Sequence, residues 1–236
     1  MEMTFLLFLL ATVGLGSCYK GHDAPVLGKL LLYGPSVALV KKTVYFYCEL
    51  EMHPENETVH YQLFKEGDRS KILGDDTSLH GEGRGIVILT KTFHDGILEC
   101  VATVQNNTSV QPTVSNGHRF RVIEPVKTAE VEVTSGQTEF FEGKTLELQC
   151  KLEKGSYVTY EWFLDGQKIT QTQYRYLDDK RLMVFRTTSK DSGSYMCAAQ
   201  NSFNETIYRV NSSAVLITTK DVVSTPDISF TVLKRI

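Results

Sequence analysis

Asp191-Ser192-Gly193-Ser194-Tyr195-Met196-Cys197 has the form D-x-G-x-Y-x-C, and upstream of it stand Cys150 and, twelve residues later, Trp162. Asp191 and Gly193 suit a tight turn, the first through side-chain bonds to nearby backbone and the second through its tolerance of positive φ. Tyr195 and Cys197 follow in the strand that this turn feeds.

Cysteine, tryptophan, then tyrosine two places before a second cysteine is the pattern of an immunoglobulin-type sandwich. The resemblance implies that Cys150 and Cys197 lie on facing strands of two sheets and staple them together. It also implies that the Trp162 indole packs on the staple, and that the Tyr195 hydroxyl bonds back to the chain where strand F begins.

The chain has 236 residues, room for two domains of about 100 residues each once a leader is set aside. Its 25 basic and 28 acidic residues are well mixed and leave a net charge of −3. A nucleic-acid partner needs a basic face that this balance does not supply. The run Phe5-Leu6-Leu7-Phe8-Leu9-Leu10-Ala11-Thr12-Val13 is shorter than the ~20 apolar residues of a membrane-spanning helix. It reads as a secretory signal peptide over residues 1–16, with Gly14 and Gly16 as the small residues before the cut, although Lys or Arg is missing from Met1-Glu2-Met3-Thr4.

Secretion makes disulfides available. Cys48 and Cys100 stand 52 apart, close to the 47 between Cys150 and Cys197, so the same resemblance implies a second staple. Each would close a loop of roughly 50 residues, worth about 4 kcal/mol in the chain-entropy account. Cys18 is left over, as a free thiol, an intermolecular link or part of a differently cleaved leader.

The expected architecture is therefore all-β: two tandem immunoglobulin-like β-sandwich domains after a signal peptide, over residues 24–125 and 126–219. In the first, Thr43–Cys48 reads as strand B, and Val59–Phe64 as strand C, with Val59, Tyr61 and Leu63 on one face by the two-residue period. Leu63 then takes the tryptophan's place. Before strand F, His94 stands where the aspartate would be, and Leu98 stands where the tyrosine would be, so the corner hydrogen bond is lost. Gly81-Glu82-Gly83-Arg84-Gly85 reads as a loop, since no helical pattern follows for a bound phosphate to cap. Pro125 stiffens a short linker, which predicts a fixed bend between domains. Ile228–Leu233, within the tail 220–236, alternates like the first strand of a third such domain. A truncated or spliced product of a longer receptor fits this tail, as does a secreted two-domain form.

Sequons N-x-S/T occur at Asn56, Asn106, Asn107, Asn204 and Asn211. The histidines are scattered, and no G-x-S-x-G is present. His94 beside Asp95 is explained by the turn before strand F, so no catalytic residue, metal ligand or cofactor is expected, and the chain does not read as an enzyme. Binding surfaces favour aromatic residues, which makes Tyr157, Tyr174, Tyr176 and Phe203, all near loops, the candidate ligand contacts.

Both domains resemble the extracellular domains of leukocyte receptors, most closely the Fc-receptor-like group and the platelet endothelial cell adhesion molecule. Tyr61-Gln62-Leu63-Phe64-Lys65-Glu66-Gly67 resembles the Y-Q-F-Y-x-E-G of their strand C, and His94-Asp95-Gly96 their H-S-G. Tyr160-Glu161-Trp162-Phe163-Leu164-Asp165-Gly166-Gln167 is similar to the Fc-receptor Y-x-W/Y-x-x-D-G-x turn. The resemblance implies an extracellular immune or adhesion receptor part that binds an immunoglobulin or a cell-surface protein, or pairs with copies of itself. It implies attachment to a membrane only through a segment outside this sequence. Fc receptors clamp antibody with exposed tryptophans, whereas the one tryptophan here, Trp162, is expected in the core.

Overall fold

The computed structural model describes residues 27–52 and 56–221. The signal peptide, Cys18 and the strand expected over Ile228–Leu233 lie outside the described residues.

The first sandwich contains β1 (Leu30–Tyr33), β2 (Val37–Leu39), β3 (Thr43–Leu50), β4 (Val59–Lys65), β5 (Gly74–Ser78), β6 (Arg84–Leu89), β7 (Gly96–Val104), β8 (Thr113–Val114) and β9 (His118–Ile123). Three strands in the order β1-β3-β6 face a sheet in the order β2-β9-β7-β4-β5, with β8 beside β7. The second contains β10 (Lys127–Val133), β11 (Glu139–Phe141), β12 (Leu146–Lys154), β13 (Thr159–Leu164), β14 (Gln167–Lys168), β15 (Arg175–Asp178), β16 (Arg181–Val184), β17 (Gly193–Phe203), β18 (Thr206–Asn211) and β19 (Val215–Lys220). Its sheets run β10-β12-β16-β15 and β11-β19-β17-β13-β14, with β18 paired to β17. The chain is thus two tandem immunoglobulin-like sandwiches.

The two differ in one crossing. In the first, the turn after Lys65 returns the chain alongside β4, and β5 joins that sheet. In the second, the tight turn at Asp165-Gly166 gives only the two-residue β14, and the chain then crosses to pair β15 with β16. The first sandwich is left with one sheet only three strands wide. The glycine-rich stretch is loop only as far as Gly83: Arg84 and Gly85 already pair with Cys48 and Tyr47 in β6.

Each core is closed by a disulfide, Cys48–Cys100 with Cα atoms 6.3 Å apart and Cys150–Cys197 at 6.0 Å. Leu63 is the register partner of Cys100, just as Trp162 is of Cys197. Leu98 and Tyr195 occupy matching places two residues before their cysteines, and all four side chains are buried. The first core, lacking a tyrosine on β7 and an indole on β4, recovers aromatic volume elsewhere. Phe46 meets Phe120 edge-on at 5.2 Å, and the Tyr61 hydroxyl donates to the Gly81 carbonyl at 2.8 Å. A buried phenol needs such a partner, and burial pushes the Tyr61 pKa up to about 12.

Candidate protein-binding surfaces

The four aromatic candidates do not converge. Tyr157, in the loop between β12 and β13, holds a left-handed φ of 53° and faces the first sandwich. Its hydroxyl donates to both carboxylate oxygens of Asp95 at 2.8 Å, and the Arg121 guanidinium lies 5.2 Å from its ring centre. Burial and the Asp95 carboxylate raise the Tyr157 pKa. Tyr157 therefore joins the two sandwiches.

Around it the linker is clamped. Asn201 on β17, buried, donates to the carbonyls of Glu124 at 2.7 Å and Ser156 at 2.8 Å, while its own oxygen accepts the Val126 N–H at 3.2 Å. The Ser156 hydroxyl accepts the Glu124 N–H and donates to the Val122 carbonyl. These bonds leave little rotational freedom about Pro125. Phe203, half-buried at the end of β17, lines a crevice at this junction with Val37, Arg119 and Arg121. The Asn204 sequon stands at the same crevice.

Tyr174 and Tyr176 lie elsewhere, before and on β15, the outer strand of the four-stranded sheet. Tyr174 shares a shallow cavity with Phe185 and with Arg175, which pairs with Asp191 at 2.9 Å. Burial works against the charged Asp191, but the bonds from Arg175 and Thr188 outweigh it and hold the carboxyl below its ordinary value of 3.8.

His94 and Asp95 are both committed to structure. The buried His94 ring accepts the Lys91 N–H through Nδ1 at 3.1 Å, and Asp95 accepts the Val122 N–H as well as the Tyr157 hydroxyl. Among the described residues, no three His, Cys, Asp or Glu side chains gather to hold a metal ion. Asn56, Asn106, Asn204 and Asn211 are exposed, and Asn107 is half-buried with its side-chain oxygen taken by Ser109.

A further group of exposed apolar side chains was not among the sequence candidates. On the three-stranded sheet, Tyr33 pairs with Tyr47, Tyr45 with Val87 and Thr43 with Leu89. Register partners share a face, and these point away from the core. Tyr33, Tyr45, Tyr47, Val87 and Leu89 are 42–67% exposed. The alternation that buries Phe46 and Cys48 in Thr43-Val44-Tyr45-Phe46-Tyr47-Cys48 turns two tyrosines outward, a signal present in the sequence.

A family profile described as an immunoglobulin domain matches residues 125–201. Protein sidekick-1 of Mus musculus is 27% identical over 134 residues, which are 55% of this chain and 6% of that protein. The chain thus spans a small part of that curated relative's length. The full ectodomain of mouse nectin-like molecule 4, Ig1 to Ig3, superposes with a TM-score of 0.51 at 16% identity, covering 85% of this chain and 67% of that one. Sidekick-1 immunoglobulin domains 1–5 give 0.49 at 14% identity, over 81% and 38%. No helix among the described residues is long and apolar enough to cross a membrane. By its staple, its strand order and the profile it matches, the second sandwich is an immunoglobulin domain, and the first repeats the same stapled fold.

Proposed function

We propose that this chain is the extracellular, protein-binding part of a cell-surface molecule of the adhesion kind, recognising its partner through the outer face of β1, β3 and β6. The contiguous patch of Tyr33, Tyr45, Tyr47, Val87 and Leu89 carries the reading. Single-chain soluble proteins rarely leave so much apolar surface together in water unless it binds something, and tyrosine is enriched in such contacts because it brings area at low entropic cost. Two disulfides and exposed sequons support an oxidising, extracellular setting. The similar nectin-like structure is itself an ectodomain.

An Fc-receptor-like role is the second reading, favoured by the Tyr61–Gly67 strand. Against antibody binding by exposed tryptophans, Trp162 is 1% exposed and packs within the second core. Tyr157, in the loop between β12 and β13, is engaged with Asp95.

Surface plasmon resonance of the glycosylated two-domain protein over immobilised immunoglobulin and over immobilised copies of itself separates the two. Binding to the second surface, lost in the Tyr45→Asp, Val87→Asp double variant, supports the adhesion reading. Binding to immunoglobulin alone replaces it with the Fc-receptor-like one. Binding to either surface that the double variant leaves unchanged removes the face from the account.

A further inference from the structure

We infer that the occupant of this face is a second copy of the chain, docked about a two-fold axis that lies in the interface, parallel to the sheet and across β3 at the level of Phe46, so that β3 of each copy runs antiparallel over β3 of the other. The inference rests on the proposed reading of the face as a binding surface and adds what covers it and how.

The face is its own complement under that rotation. Outward positions along β3 read Thr43, Tyr45, Tyr47 and Glu49, and no charge stands between the ends. At one end is Glu49, with Glu51 beyond it held by Lys29 at 2.8 Å. At the other end three exposed lysines gather: Lys41 and Lys42 before β3, and Lys91 just after β6. The Lys41 N–H donates to the Thr90 carbonyl at 2.8 Å, which ties that turn to the end of β6. Lys91 is still extended, at φ −132° and ψ 157°, so it continues the outward side of Val87 and Leu89. From Thr43 to Glu49 the strand rises roughly 20 Å. A half-turn about the middle lays the Glu49 end of one copy over the lysine end of its mate, twice, and brings the tyrosine bands together. An isologous contact must be self-complementary in this way, whereas a parallel arrangement would set lysines on lysines.

Two further features suit a flat partner. No sequon lies on β1, β3 or β6. The sheet is also only three strands wide, about 10 Å across its backbone, so the footprint falls short of the ~800 Å² per partner of a standard interface. The contact is therefore weak for one pair and strengthened by display in arrays, where effective concentration multiplies it.

Sedimentation velocity of the glycosylated two-domain protein, over a rising concentration series, tests this. A reversible monomer–dimer equilibrium is expected. Tyr45→Asp, at a position 67% exposed and so remote from the core, should weaken it at least about tenfold, and Glu49→Lys likewise. Lys41→Glu with Lys91→Glu added to Glu49→Lys in the same chain should restore association to within about threefold. Thermal melts matching wild type show that each variant is folded, and Val87→Asp replaces any that is not. A protein monomeric throughout, a dimer indifferent to Tyr45→Asp, or a charge-reversed chain that stays monomeric overturns the two-fold docking. If the protein is monomeric yet the face variants still abolish capture on the immunoglobulin surface, the face remains a binding site, but its occupant is immunoglobulin and not a second copy.

Discussion

His94 and Asp191 do the same job in the two sandwiches with different chemistry. Each ends a one-turn 3-10 helix before the strand that bears the second cysteine, and each accepts the backbone N–H three residues earlier. Lys91 donates to His94 Nδ1 at 3.1 Å, and Thr188 donates to Asp191 Oδ2 at 2.9 Å. A carboxylate holds that bond through most of the pH range. An imidazole holds it only while neutral.

This makes the first sandwich sensitive to mild acid. Burial, then the nearby Lys91, Lys71 and Lys65, depress the His94 pKa below its ordinary 6.5. The unfolded chain therefore takes up the proton first, and the stability from neutral His94 is present above about pH 6.5 and lost as the pH falls below it. The melting midpoint of the first sandwich should drop between about pH 7 and pH 5.5 in the wild type. It should stay nearly level in His94→Asp, whose carboxylate accepts the same bond beside three lysines and titrates near 4. Calorimetry of both proteins checks this; parallel slopes would refute the assignment.

The tyrosine corner exists only in the second sandwich, where the buried Tyr195 hydroxyl donates to the Asp191 carbonyl at 2.8 Å. Tyr195→Phe leaves that carbonyl without its phenol partner in a site closed to water. The expected loss is about 1–3 kcal/mol, a fall of several degrees in the second transition with the first unmoved. Equal shifts in both transitions would mean that the sandwiches do not unfold separately.

What the sequence disclosed follows from how local each feature is. D-x-G-x-Y-x-C is read within seven residues, and the two-residue strand period is enough to set Leu63 opposite Cys100 and Leu98 where Tyr195 stands in the repeat. The role of His94 was hidden because a changed letter looks like a lost pattern, although Nδ1 can accept the bond that the aspartate would. Tyr157 was legible as an aromatic in a loop but not as a bridge, since its partner Asp95 lies 62 residues away in another sandwich. The outward Tyr45 and Tyr47 were visible in the alternation. That they sit on a narrow, unextended sheet depends on β5 pairing with β4, a crossing set by turn geometry and not by strand composition.

Either disulfide should act on its own sandwich. Replacing Cys48 and Cys100 by Ala removes one cross-link from a core that has no tryptophan, and about 2–5 kcal/mol of stability with it. Calorimetry should show the first transition lowered or absent and the second kept, because the two cores form separate clusters. Loss of both transitions would show that the second sandwich folds only on the first.

The junction separates stability from shape. Asn201 is 6% exposed and satisfies two carbonyls and one N–H across the linker, so Asn201→Ala takes this partner from the Val126 N–H and the Ser156 carbonyl, while the Glu124 carbonyl keeps the Ser156 N–H at 3.1 Å. It should cost about 1–3 kcal/mol and also loosen the angle between the sandwiches. Tyr157→Phe removes only the bonds to Asp95, at a residue 46% exposed, where water can replace the lost partner. Its thermal cost should be within about 1 kcal/mol. In small-angle scattering, both variants should broaden the distribution of interdomain distances, while only Asn201→Ala lowers a melting transition. The distinction matters for recognition, because a face on the first sandwich meets an opposing surface at an angle that the second sandwich sets. If both variants scatter like the wild type, Pro125 and the strand ends alone hold the bend, and the hydrogen bonds at the junction are its consequence and not its cause.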